Sequence, residues 1–421
     1  MIFKRSLIPS SIPEVDFSIF FETLRRCFSL ESTKVSLVDS FESEYAHFIG
    51  VKYAIAFSSA RAALYHLYSY FNCQGKYVIA PAYTCIPAIN AIQWAGALPY
   101  FVDIDLHTYN PILYESIFEK KNVGAICLSY LYGLIKDPSK EIELARKYQI
   151  PLIEDAAIAC GGMILNKRVG GGADAGVFSL QSSKIMSSWR GGIVTTNRKD
   201  LYDYLKAAQK KMEYSSVSKF LVNMFVSYLR ALCANHAIYG WTFAPLKKVL
   251  YSKYLHPLLW KLIDQNPSEA LTGANVSIMP IADQKRWLPH QSVTAHQSLK
   301  KIQNILDQRR SIAAMYHENL KDIKRIQLPR EGAGVSNVYG RFPIRIDGVG
   351  KREAYNFFLK NGVEVSLNYP YLCVPSGIKA RFPNACIASQ ETFLLPMHTR
   401  LTNDEINHII DVTRKIALNG F

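Results

Sequence analysis

Lys184 closes the stretch Gly176-Val177-Phe178-Ser179-Leu180-Gln181-Ser182-Ser183-Lys184 and stands ahead of the turn Trp189-Arg190-Gly191-Gly192. A primary amine set between an apolar strand and paired glycines can serve as nucleophile and proton carrier, provided burial lowers its pKa toward neutrality. Upstream, Leu152-Ile153-Glu154-Asp155-Ala156-Ala157 ends another short apolar run with two acids. Pyridoxal phosphate (PLP) chemistry needs such a pair. The lysine forms a Schiff base with the cofactor, and the carboxylate keeps the pyridine nitrogen protonated so that the ring accepts electrons. Each residue also has a plain reading: a loop lysine as a solvated charge, and Asp155 as a helix N-cap. Catalytic roles for Lys184 and Asp155 rest on their occurring together and in order.

The elements that must position this pair alternate along the first half of the chain. Phe41, Tyr45 and Phe48 fall on one face of a helix capped by Asp39 or Ser40 and stopped at Gly50. Strands are expected at 53–57, 77–80, 98–102, 123–128, 151–154, 176–180 and 192–196. Helices are expected from Ser58-Ser59-Ala60-Arg61 through Tyr70, from Pro87 to Trp94, and over 138–148. Such alternation predicts an α/β fold with a mostly parallel sheet covered on both faces. Ligands in such sheets sit beyond the strand carboxyl ends, where Asp155 and Lys184 fall. Helices over 309–320, 351–361 and 403–418 and a strand over 340–346 predict a smaller C-terminal α+β domain. The expected division is an N-terminal arm with the large PLP-binding domain (1–204), an apolar, basic helical insertion (205–285) and the small domain (286–421).

The insertion carries ten Lys/Arg and four Asp/Glu, an apolar helical run over 220–230, and aromatic segments around Trp241, Tyr251, Tyr254 and Trp260. Asn223 and Arg230 interrupt the run, which is too short for a membrane span. It reads either as an elaboration that buries its own apolar face or widens a dimer interface, or as an interfacial surface, over 215–262, that docks on anionic membrane. The net charge of the whole chain is +15. No nucleic-acid motif accompanies it, so an anionic substrate or anionic lipid is the partner class it suggests. The eight cysteines show no CxxC and no metal spacing, which points to a reducing cytoplasm and no metal site. The N-terminal residues lack the continuous apolar stretch of a secretory signal.

Taken together, these segments resemble the DegT/StrS-type nucleotide-sugar aminotransferases, which are aspartate-aminotransferase-like, fold type I PLP enzymes. The resemblance is carried by Ser59-Ala60-Arg61-Ala62-Ala63-Leu64, Ala80-Pro81-Ala82-Tyr83-Thr84, Ala95-Gly96-Ala97 and Phe101-Val102-Asp103-Ile104-Asp105. Glu154-Asp155-Ala156-Ala157, Phe178-Ser179, Lys184, Gly191-Gly192 and Leu395-Pro396-Met397-His398 follow in the family's order. It implies a PLP-dependent transferase fold, with Lys184 bonded to the cofactor and Asp155 paired with the pyridine nitrogen. Ser179 and the Ser59, Ala60, Arg61 turn would hold the phosphate, for which a helix N-terminus is a natural seat. The resemblance also implies a homodimer with shared sites, in which Gln284 and Arg286 fall at the positions a partner subunit contributes.

Three positions depart from the family pattern. The ring-stacking aromatic is Cys85, unless Tyr83 substitutes; the polar neighbour after the aspartate is Ile158; and the acid before the paired glycines is Arg190. The implied pocket is drier and more positive than the family norm. Retention of Lys184 argues against the dehydratase relatives, which carry histidine there. The implied activity moves an amino group from an amino acid, L-glutamate by family analogy, to a keto-sugar on a nucleotide or lipid carrier. That reaction would belong to polysaccharide or glycoconjugate biosynthesis, in the cytoplasm or at the inner membrane face. Two other classes stay open: another PLP reaction on a non-sugar substrate, and a catalytically silent scaffold with the same fold.

Overall fold

The computed structural model describes residues 7–14, 17–27, 36–234, 239 and 278–419. The aromatic segments expected around Trp241, Tyr251, Tyr254 and Trp260 lie outside the described residues. Strands β1 (Tyr53–Phe57), β2 (Tyr77–Pro81), β3 (Leu98–Val102), β4 (Val123–Ser129) and β5 (Leu152–Asp155) are followed by the short pair β6 (Met163–Ile164) and β7 (Lys167–Arg168). β8 (Ala175–Ser179) and β9 (Gly192–Thr196) then complete a seven-stranded sheet of order β1-β9-β8-β5-β4-β2-β3. β3, β2, β4, β5 and β8 run parallel; β9 is antiparallel to both β8 and β1. The expectation of a mostly parallel α/β sheet holds.

Both faces of the sheet are covered because its strands are apolar on both sides. Ile79, Ile126, Leu128, Leu152 and Phe178 pack into one core with Phe41 and Tyr45. Their strand neighbours Val78, Ala125, Cys127, Ile153 and Val177 point the other way, into a second core with Leu67 and Ile92. The helices are α1 (Phe17–Cys27), α2 (Ser36–Ile49), α3 (Ala60–Tyr70), α4 (Ile86–Trp94), α5 (Ser116–Lys120), α6 (Ser139–Lys147), α7 (Lys199–Lys211) and α8 (Val217–Cys233). The start of α2 corrects the expected cap: Ser36 already lies in the helix, which places Asp39 inside its first turn. Its stop at Gly50 is as expected, with φ +87°.

A single 32-residue helix, α9 (Pro289–Leu320), crosses from the large sheet to the C-terminal part. The sequence reading placed a helix over only its last third. Its first half buries His290, Gln291, Ser292, Thr294 and Ser298, and these polar side chains break the apolar periodicity that marks a helix. Beyond it lie β10 (Ile326–Gln327), β11 (Val335–Ser336), β12 (Phe342–Ile346), α10 (Lys351–Lys360), α11 (Pro383–Glu391), β13 (Phe393–Leu395) and α12 (Asn403–Asn419). β10, β12 and β13 form a small antiparallel sheet. Its core joins Tyr316, Phe342, Phe358, Phe393 and Ile409.

α8 divides into two faces. Phe220, Met224 and Tyr228 pack with Phe20, Trp189 and Leu288, the Phe20 and Tyr228 rings stacking at 4.2 Å. Val222, Phe225, Val226, Leu229 and Leu232 remain exposed. Among the described residues, no helix is long and apolar enough to cross a membrane.

Candidate active site

The carboxyl edge of the sheet collects the residues singled out from the sequence. Ser129 and Asp155 end neighbouring strands and pair in register. Ser179 ends β8 opposite Gly192, and Gly192 pairs in turn with Phe57 at the end of β1. This arrangement brings the Ser58–Arg61 turn, Asp155 and the Lys184 loop to one rim.

Asp155 and Glu154 illustrate how strand alternation divides roles. Both carboxylates are buried. Glu154 accepts four hydrogen bonds: Tyr130 Oη (3.1 Å) and the backbone N–H groups of Gly170 (2.8 Å), Gly172 (3.0 Å) and Ala173 (3.1 Å). It is a structural anchor for the 170–173 loop. Asp155 accepts only two, from Ser129 Oγ and the Ala157 N–H, each at 3.2 Å. Burial pushes its pKa up, against those two donors and the charge of Lys184. Lys184 is shifted the opposite way. Burial holds its amine below the ordinary lysine range and the nearby Arg341 guanidinium adds to this, while Cys85 and Asp155 oppose it. An amine so placed is more readily deprotonated, as a nucleophile or base must be.

The Lys184 loop is fixed at its neck and its outer side. Leu180 N–H donates to Gly191 O and Ser188 N–H to Leu180 O, both at 2.9 Å. Trp189 takes a left-handed φ of +70°, and its indole N–H donates to Thr294 on α9 at 3.1 Å. Arg341 Nη2 reaches Ser183 O at 3.2 Å. The paired glycines permit close approach. A Cβ on Gly191 would lie 2.1 Å from the Trp287 ring, and one on Gly192 would lie 2.3 Å from Ala60 N.

Cys85 stands between the two halves of the site. Burial raises its thiol, the charges of Lys184 and Arg61 oppose that rise, and Asp155 adds to it. Tyr369, a residue with φ +54°, lies beside it and also opposes the rise. On the far side lies a basic cup at the N-terminus of α3. Ser59 is the N-cap, accepting from Ala62 N–H. Its hydroxyl donates to Asp283 Oδ1 at 2.7 Å, and Arg190 Nη2 meets the same oxygen at 2.9 Å. Arg61 Nη2 lies 3.1 Å from Asp283 Oδ2. Ser58 Oγ donates to the Asp283 carbonyl at 2.9 Å.

The sequence profile of the DegT/DnrJ/EryC1/StrS aminotransferase family matches residues 28–225 and 289–414. The chain belongs to that family. A GDP-perosamine synthase of Escherichia coli O157:H7 is 35% identical over 175 residues, 41% of this chain and 48% of that protein. The chain thus spans about half the length of that relative. A dTDP-3-amino-3,6-dideoxy-alpha-D-galactopyranose transaminase of Aneurinibacillus thermoaerophilus is 26% identical, with 90% of this chain and 89% of that protein covered. The Streptococcus pneumoniae protein Spr1654 in its PLP-form superposes with a TM-score of 0.75 at 17% identity, covering 98% of this chain and 99% of that one. That likeness shows the shared fold.

In this DegT/StrS-family chain Lys184, Asp155, Cys85, Ser59, Ala60 and Arg61 come together, and Ser179 lies half-buried at the end of β8. Tyr83 points elsewhere, and Gln284, expected to serve a partner subunit's site, faces outward from its own chain. Tyr83 is fully buried, with its hydroxyl 2.7 Å from that of Tyr132 and its ring among Tyr109, Tyr132 and Tyr369. Tyr369 is the aromatic that reaches Cys85. Gln284 donates to Met279 O at 2.6 Å and lines an outer cleft of about 650 Å³ with His66, Lys211 and Ile281. In this chain the side chain seated in the cup is the neighbouring Asp283. Ile158 packs its side chain and carbonyl close to Gly340, where a Cβ would meet it at 2.5 Å. Sequence reasoning missed Ser129, Asp283, Arg341 and Tyr369. The available signals were Ser129 at a strand end and the pre-proline Tyr369.

Proposed function

We propose that this chain is a PLP-dependent aminotransferase that moves an amino group from an amino acid, L-glutamate, onto a keto-sugar carried on a nucleotide or lipid, in polysaccharide or glycoconjugate biosynthesis. The observation that carries the reading is the convergence of an under-satisfied carboxylate, a pKa-lowered amine and an anion cup on one sheet edge. PLP fits that set. The cup already holds an anion, the Asp283 carboxylate, on Ser59, Arg61 and Arg190. Asp155, pushed up by burial, gains most from a cation placed beside it, such as a protonated pyridine nitrogen.

When bound, PLP supplies the electron sink that stabilises negative charge on the amino acid α-carbon. The protein's share is positioning and proton handling. Lys184 would hold the cofactor through its amine and serve as the base that accepts the donor's α-proton. Asp155, oriented by Ser129 Oγ and the Ala157 N–H, would pair with the protonated ring nitrogen. Cys85 lies beside Asp155 and Lys184 and adds a weakly polar thiol to that end. Arg341, held near Lys184 by the Ser183 and Gly340 carbonyls, offers a cation for the donor's carboxylate.

The finer expectations belong to the same reading: a homodimer in the cytoplasm, with α8 bringing it to the inner membrane face. Exposed Ile278 and Ile281 and the apolar outer face of α8 support contact surfaces there. The excess of positive charge supports an anionic substrate. The test is incubation of PLP-loaded protein with L-glutamate and a panel of nucleotide-linked keto-sugars. Amino-sugar formation, read by mass spectrometry and absent in Lys184→Ala, is expected. Release of 2-oxoglutarate without any amino-sugar would reject the sugar assignment.

A further inference from the structure

The cup at the start of α3 is filled by the chain itself. The Asp283 side chain has no exposure. Its Oδ1 accepts hydrogen bonds from Ser59 and Arg190, while its buried Oδ2 accepts none and meets Arg61 only as an ion pair at 3.1 Å. Its carbonyl is tied to Ser58. The floor is backbone packed against backbone, since Gly192 lies so close to Ala60 that even a methyl group would collide. Two guanidinium groups and a helix N-terminus crowded together need an anion, and a carboxylate answers their geometry. A phosphate group answers it better, with up to two charges and three acceptor oxygens. It cannot sit beside a carboxylate in a space this small, because like charges at contact repel strongly.

We propose that Asp283 is a built-in anion that closes this cup, that cofactor loading exchanges its carboxylate for the cofactor phosphate, and that Arg190 is a ligand of whichever anion is seated. The proposal rests on the PLP reading above and deepens it. It gives a role to Arg190, which replaces an acid in the family pattern. An acid there would repel either anion, whereas an arginine strengthens the hold on both. Within the turn that carries Asp283, Asp283 N–H donates to Pro280 O at 2.8 Å and Gln284 N–H to the same carbonyl at 3.3 Å; Met279 anchors its start in a core, and Lys285 and the Arg286 N–H tie its end to Glu213. Ile281 on that turn is 73% exposed, so withdrawing the turn does not uncover that side chain from the core.

The experiment uses the full-length protein freed of cofactor, with inorganic phosphate and PLP as separate probes. Asp283→Asn should melt at a lower temperature than wild type in phosphate-free buffer, because two arginines lose their counter-charge. Inorganic phosphate should restore that melting temperature and bind the variant at least about tenfold more tightly than it binds wild type. Adding Arg190→Gln to Asp283→Asn should remove most of that gain. Equal or weaker phosphate affinity in Asp283→Asn, or a melting temperature that phosphate does not restore, overturns the proposal. Parallel PLP titrations separate it from the functional reading. If phosphate tightens while PLP gives no Lys184-dependent absorbance, the anion exchange stands and the aminotransferase assignment falls. If PLP binds wild type through Lys184 and Asp283→Asn gains nothing, the reverse holds.

Discussion

The two ends of the site solve the same electrostatic problem in opposite ways. At the cup, opposite charges meet: Arg61 and Arg190 converge on one carboxylate, Asp283, and Ser59 hydrogen-bonds to it. At the ring end the charges are left short. Asp155 has two long hydrogen bonds and a raised pKa, while Lys184 is held below its ordinary range. A shortfall of this kind costs folding stability and is kept where a ligand or reaction makes use of it. Glu154, one residue away, is also pushed up by burial but has four donors, and shows what the same strand does with a carboxylate that holds structure.

The sharpest break of this contrast is at the amine. Lys184→Ala should reduce turnover by at least about 10⁴-fold, with melting temperature unchanged or raised, as measured by steady-state assay and calorimetry. Asp155→Asn should keep the fold and lose about 10²–10³-fold in turnover, since it removes a charge aimed at a developing charge. Glu154→Gln should show the opposite pattern: a loss of about 1–3 kcal/mol in stability by denaturant titration, with activity per folded molecule nearly unchanged. If Glu154→Gln and Asp155→Asn behave alike, the division of roles between them fails.

Smaller effects sharpen the picture behind the ring end. Buried Lys351 donates to the carbonyls of Asn368 (3.2 Å) and Tyr369 (3.1 Å), supporting the turn that presents Tyr369 to Cys85. Burial pushes its ammonium down to about 7. Between there and the ordinary lysine value of about 10.4, the unfolded chain holds a proton that the folded chain has shed. Stability contributed by this group therefore rises with pH across that window and is lowest below it. Lys351→Met should flatten the rise, by up to about 1.4 kcal/mol per pH unit, in urea titrations over the same range. The smallest effect is expected on α8. Phe225→Glu with Leu229→Glu should leave turnover intact and abolish salt-sensitive binding to anionic vesicles; unchanged vesicle binding would remove the membrane role.

Much of the ring end was legible because its residues follow strand ends. Short, continuously apolar runs located β5 and β8 to within a residue, and Asp155 and Lys184 are referenced to those ends. The cup was half legible: Ser59 and the start of α3 carry a helix-opening pattern, whereas Asp283 reaches the cup from the stretch before α9, across a sequence separation no local pattern reveals. Tyr369 and Arg341 were hidden for a similar reason, since they come from the C-terminal part and meet Lys184 and Cys85 only after that part packs on the sheet. The polar first half of α9 hid the helix that holds Trp189. Tyr83 was misplaced because nearness in sequence to Cys85 does not set side-chain direction; its ring turns into the tyrosine cluster.

The central claim is that Lys184 is the reactive amine of a PLP site. The most direct test is the visible absorbance spectrum of wild type and Lys184→Ala reconstituted with PLP, before and after L-glutamate. The account predicts a band above that of free PLP in wild type alone, which L-glutamate removes. A wild-type spectrum identical to that of Lys184→Ala, under conditions where both proteins are folded, would contradict it.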